Sequence, residues 1–120
     1  MMKQSERESA SQLFGVLSNP TRLRVMELIC ESPHTVNEVS ALMHLPQPTA
    51  SQHLSHLHRA GLLSVEPRGT CRYYHIRGPR IASILQLIQE FCSIHNLDQV
   101  EKRMDAGDEY SDESSLKREQ

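Results

Sequence analysis
The sequence predicts a mainly α domain of five helices with one small β-hairpin, and three stretches carry the prediction. Residues 47–60 read as a helix whose polar face holds Gln47, Thr49, Ser51, Gln52, His53 and His56. Gly61 follows as a stop, and a short basic hairpin built around Arg68-Gly-Thr-Cys-Arg72 comes next. Residues 80–96 then form a last helix, apolar over more than one face. A polar-faced helix, a glycine stop, a basic hairpin and an apolar final helix together are the layout of a dimeric winged helix-turn-helix.

Each element has its own signal. Residues 5–18 read as the first helix, with Leu13, Phe14, Val16 and Leu17 crowded into its second half and Ser18-Asn19-Pro20 ending it. Asn19 is placed to cap a second helix that starts at Pro20 or Thr21. Leu23, Met26, Leu28 and Ile29 give it a buried side, and Glu31-Ser32-Pro33 closes it. Thr35-Val36-Asn37-Glu38 fits a capping box, with glutamate three residues after threonine. The third helix it opens carries an apolar stripe of Val39, Leu42 and Met43, and His44-Leu45-Pro46 is the turn after it.

The fourth helix has Pro48 in its first turn and Ala50, Leu54 and Leu57 at i, i+4 and i+7, facing the core. Two strands at 62–66 and 72–76 flank a turn at Pro67-Arg68-Gly69-Thr70. In the last helix Ile81, Ile84, Leu85, Leu87, Ile88, Phe91 and Ile94 suit packing on two sides, one of them a twin subunit. Residues 1–9 are expected to be a flexible N-terminus and 10–98 the DNA-binding and dimerisation domain. Residues 99–120 are expected to be a disordered acidic tail.

Composition bounds the function. With 120 residues, 38% of them hydrophobic, and no tryptophan, the chain supports one domain with a thin core, for which a shared apolar dimer surface is a natural remedy. The net charge of −2 hides a division. Residues 47–80 carry five arginines (Arg59, Arg68, Arg72, Arg77, Arg80) against Glu66, whereas residues 104–120 carry six acids against Lys117 and Arg118. No apolar run is long enough to span a bilayer and the first residues are polar, so a cytoplasmic location is expected. Three widely spaced cysteines, Cys30, Cys71 and Cys92, make neither a disulfide framework nor a Cys-x-x-Cys zinc pattern. No glycine-rich phosphate loop, oxyanion hole or carboxylate pair is visible, so no enzyme activity and no cofactor is expected.

A helix of the fourth helix's type meets the major groove with its N-terminal residues against base edges. Gln52 can pair bidentately with adenine, Thr49 and Ser51 can reach bases or phosphates, and His53 can donate to either. Arg68 and Arg72 flank the hairpin tip, where they can meet phosphates or a minor groove. Double-stranded DNA is therefore the expected partner. The same face on a protein-interaction module that binds no DNA is the competing reading.

Four motifs carry a family resemblance: Asn-Pro-Thr-Arg-Leu-Arg-Val-Met-Glu-Leu at 19–28, Leu-Pro-Gln-Pro-Thr-Ala-Ser-Gln-His-Leu-Ser-His-Leu at 45–57, Ala-Gly-Leu-Leu at 60–63 and Arg-Gly-Thr-Cys-Arg-Tyr-Tyr at 68–74. Over residues 10–96 the chain resembles the ArsR/SmtB family of bacterial winged-helix repressors. The resemblance implies a homodimer joined by the first and last helices and bound to an inverted-repeat operator. It also implies release by an inducer, often a metal ion or an oxidant.

The third-helix metal site of that family needs thiols, and residues 35–39 have none. Of the last-helix zinc site, Cys92 and His95 supply one pair, while Pro79 and Ile81 at the helix start cannot ligate. A redox or persulfide-sensing branch uses one cysteine on the second helix and one on the last; Cys30 and Cys92 occupy those helices. That branch carries its first cysteine about a turn earlier, near Glu27. Cys30 therefore reads either as a sensing thiol or as a small buried hydrophobe.

Overall fold
The side chain of Asn19 accepts the backbone N–H of Arg22 at 3.0 Å, and Pro20 takes the first helical position. These two residues start the second helix where the sequence put it. A computed structural model describes residues 1–95, and the residues beyond them, with the expected acidic tail at 99–120, lie outside the described part. The order is α1 (Gln4–Leu17), α2 (Pro20–Glu31), α3 (Val36–Met43), α4 (Gln47–Arg59), β1 (Leu63–Arg68), β2 (Cys71–Ile76) and α5 (Pro79–His95). Residues Met1–Leu85 pack as one unit, and from Gln86 the rest of α5 belongs to a second. Helix α1 begins at Gln4, within the stretch 1–9 assigned from sequence to a flexible terminus, and residues 4–9 are helical and exposed.

Helix α3 has the capping box its sequence announces. Thr35 Oγ1 accepts from Glu38 N–H at 3.1 Å, and Glu38 Oε1 accepts from Thr35 N–H at 3.0 Å. The end of α4 is equally determined. Gly61 lies at φ +84° and donates to His58 C=O, while Leu62 N–H reaches back to Leu57 C=O. Those two bonds are the Schellman pair, and they use carbonyls the helix leaves over.

The hairpin is longer than the sequence suggested. Its strands pair from Leu63 with Ile76 to Arg68 with Cys71, leaving only Gly69 and Thr70 as the turn. Pro67 sits inside β1 opposite Arg72, which a two-stranded sheet tolerates because each strand has an open edge. His34 adds a bridge to Tyr74 through two backbone bonds of 3.0 and 2.8 Å, which ties the α2–α3 link to β2.

The core is built by Val25, Met26 and Ile29 of α2, Val39 of α3, Ala50, Leu54 and Leu57 of α4, and Leu62 and Leu63. Leu13, Val16 and Leu17 of α1 and Ile81 and Leu85 of α5 pack around it. Two expectations are corrected. Leu42 is 55% exposed, because an eight-residue helix buries one narrow stripe, here Val39 with Val36 and Met43 packed beside it. On α2 the buried side includes Val25, while Leu23 is only half-buried. No helix among the described residues is long and apolar enough to cross a membrane.

Candidate nucleic-acid interface
Helix α4 is anchored by three fully buried residues, Ala50, Leu54 and Leu57, spaced so that the opposite side faces outward. Gln47 and Gln52 are exposed, and Thr49 and Ser51 are half-buried on its flanks. Four short or amide-bearing side chains thus occupy the first turns of one rigid helix. Its hydrophobic side fixes its rotation.

The two histidines of that helix have partners or neighbours inside the protein. Arg22 donates from Nε to His53 Nδ1 at 3.3 Å and from Nη1 to the carbonyl of Val16 at 3.0 Å. His53 is therefore an acceptor at Nδ1, which leaves its proton on Nε2. Burial, with Arg22 and then His56 nearby, holds its pKa below the ordinary histidine value. His56 lines a cleft shared with Gln12, Gly15, Val16, Arg22 and Arg59, and its Nδ1 is buried without a hydrogen-bond partner. Sequence reasoning put both rings on the outward face. The structure places them on the flank toward α1 and α2, while Gln52 holds the outermost position. Arg22 thus joins the site as a positioning group; no spacing rule marks a pairing 31 residues apart.

In the hairpin the two arginines differ. Arg68 is ion-paired with Glu66 at 3.1 Å, and its guanidinium lies over the ring of Tyr73, 4.6 Å from the centroid. Arg72 is exposed and makes no ion pair or hydrogen bond among the described residues. Arg68 and Glu66 share a face of β1 two residues apart, with Tyr73 opposite Glu66, while Arg72 faces Pro67, which has nothing to offer it.

The cysteines are dissimilar. Cys30 is half-buried against the core, and burial, with the Glu27 carboxylate second, pushes its thiol pKa up. Cys71 and Cys92 are exposed. Among the described residues no three His, Cys, Asp or Glu side chains come together in a way that could hold a metal ion. Of the Cys92 and His95 pair, the His95 side chain lies outside the described residues.

A helix-turn-helix with a hairpin wing, its second helix polar outward and its wing basic, defines a DNA-binding regulator. Known proteins agree. The family model described as bacterial regulatory protein, arsR family, matches residues 19–65. An uncharacterized HTH-type transcriptional regulator of Methanocaldococcus jannaschii is 33% identical over 84 residues, covering 69% of this chain and 94% of that protein. The HTH-type transcriptional repressor SmtB of Mycobacterium tuberculosis is 32% identical over 78 residues, covering 65% of this chain and 58% of that protein. The solution structure of a homodimeric winged helix-turn-helix DNA-binding domain from Mycobacterium bovis, a possible ArsR-family regulator, superposes with a TM-score of 0.70 at 27% identity. It covers 79% of this chain and 93% of its own. The chain belongs to the ArsR family of transcriptional regulators, and it is a regulator rather than an enzyme.

Proposed function
We propose that the chain acts in the cytoplasm as a homodimeric repressor that reads an inverted-repeat operator. Gln47, Thr49, Ser51 and Gln52 of α4 enter the major groove, and Arg68 and Arg72 of the wing meet the backbone. The observation that carries this reading is the outward, amide- and hydroxyl-bearing first half of α4, held in place by Ala50, Leu54 and Leu57. Short side chains let the helix approach closely, and an exposed glutamine has the bidentate geometry that adenine presents. His53 and His56 support the helix from behind rather than reading bases.

The dimer is argued from apolar exposure. Phe14 on α1 is 67% exposed, and Leu87 and Ile94 on α5 are 65% and 75% exposed. Side chains of this size left in water favour burial against a second copy. The similar Mycobacterium bovis domain is homodimeric, which supports a dimer here. A twofold dimer sets its two α4 helices about one DNA turn apart, roughly 34 Å.

Binding of the full chain to its own promoter duplex, against a scrambled duplex, tests the reading. Preference for the promoter with affinity falling steeply as salt rises supports it. Equal, salt-insensitive binding to both favours a protein-interaction module. Release by thiol oxidation or persulfidation has one specific support, the exposure of Cys92. Cys92, the exposed thiol of the two, attacks the polysulfide, keeps one sulfur as a persulfide and releases the shortened polysulfide as a thiolate. A Cys92→Ser variant that still leaves the operator on treatment with organic polysulfide contradicts that mechanism.

A further inference from the structure
We infer that the cleft between α1, the start of α2 and the end of α4 binds a small oxyanion, a carboxylate or phosphate group. The cleft has a volume of about 460 Å³ and is lined by Gln12, Gly15, Val16, Arg22, His56 and Arg59, with no carboxylate among its walls. Two arginines therefore line one space whose walls, among the described residues, carry no acid. Arg22 commits two N–H groups, one to His53 and one to Val16 C=O, which leaves three of the five a guanidinium owns. Arg59 is exposed and makes no ion pair or hydrogen bond among the described residues.

His56 supplies the independent observation. Its Nδ1 is buried and has no hydrogen-bond partner among the described residues, a condition native proteins rarely leave uncompensated. An anion in the cleft is engaged by the guanidinium groups in their preferred planar, bidentate fashion, and a turn of the His56 ring that exposes Nδ1 to the cleft gives that nitrogen the partner it lacks. Gly15 keeps the α1 wall open, since a Cβ placed there meets nothing within 4 Å. At 100° per residue, Gln12 and Val16 lie on the side of α1 opposite Phe14, and Gly15 lies about 100° from it.

Arg22 connects the cleft to α4, because the same guanidinium holds His53, the neighbour of Gln52. An oxyanion bound there adds to the tie that positions α4. That consequence rests on the DNA-reading role proposed above, whereas binding in the cleft does not.

The test is titration of the full chain with inorganic phosphate and with citrate at constant ionic strength, chloride serving as control, followed by amide NMR shifts. The expected result is saturable binding of at least one of the two, with shifts gathered around Gln12, Arg22 and Arg59. Binding is expected to weaken about tenfold or more in Arg59→Gln, and also in Gly15→Leu, whose side chain fills the cleft without removing a charge. No saturation beyond the chloride control, or equal binding by wild type and both variants, overturns the inference. Adding promoter duplex separates the two sources of the group. Citrate retained on the DNA-bound protein identifies a free metabolite, and stoichiometric displacement identifies a backbone phosphate. The titration needs no DNA, so failure of operator binding leaves its outcome readable.

Discussion

Arg22 and His53 are joined across 3.3 Å, guanidinium Nε to imidazole Nδ1, and that bond ties the first turn of α2 to the middle of α4. A cation donating to a ring nitrogen requires a neutral ring. Burial, Arg22 and His56 all hold the His53 pKa below its ordinary value, so the folded protein binds fewer protons here than the unfolded chain. The stability this contributes is full above the unfolded value of about 6.5 and is lost as pH falls through the lower folded one. The midpoint of urea unfolding should therefore drop between pH 7.5 and 5.5 in the wild type. It should drop less in His53→Asn, whose Oδ1 keeps an acceptor for Arg22 but does not titrate. The other six histidines are common to both proteins.

Leu54 and Leu42 test the placement of the core. Leu54 is fully buried among α2, α3 and α4, so Leu54→Ala should cost about 2–5 kcal/mol in denaturant unfolding. Leu42 lies on the open side of α3, and Leu42→Ala should stay within about 0.5 kcal/mol. Equal losses would mean that α3 packs through its whole apolar stripe.

Two glycines should respond in opposite directions. Gly61 sits at φ +84° in the turn that ends α4, so Gly61→Ala should destabilise by about 1 kcal/mol. Gly15 lies inside α1 with open space where a Cβ would go, so Gly15→Ala should stabilise by up to about 1 kcal/mol. Thermal unfolding of the two variants reads both signs directly.

The wing arginines should not be equivalent. Arg72 has no partner to give up among the described residues, so Arg72→Ala should weaken DNA binding and lower the salt slope by about 1. Arg68 must leave Glu66 or stay half-neutralised by it, so Arg68→Ala should change the slope less. Affinity measured across a salt series for the two variants decides between these outcomes.

Most of the architecture was legible because it is locally encoded. Asn19-Pro20, Thr35 with Glu38, and Gly61 each mark an element boundary by a bond within a few residues, and each bond is present. The spacing of Ala50, Leu54 and Leu57 fixed the rotation of α4, and with it the exposure of Gln52. What periodicity could not give was the partner that a side chain meets. On the helical wheel His56 lies about 40° from Gln52, whereas His53 lies about 100° from Gln52 and only about 40° from the buried Leu57. The spacing thus turns His53 toward the core side, and the packing of α2 adds the partner, Arg22, that no spacing rule marks. The same limit hid the cleft, whose walls come from three helices. The neutralising role of Glu66 was open to sequence once β1 extended to Arg68, because residues two apart on a strand share a face.

The central claim is that the first half of α4 reads bases, and Gln52→Ala tests it most directly. Binding of wild type and variant to the promoter duplex and to a scrambled duplex should be measured side by side by fluorescence anisotropy. The expected result is a loss of about 1–3 kcal/mol on the promoter alone, with scrambled-duplex binding and unfolding midpoint unchanged. Unchanged promoter affinity in Gln52→Ala, or an equal loss on both duplexes, would contradict base reading by α4.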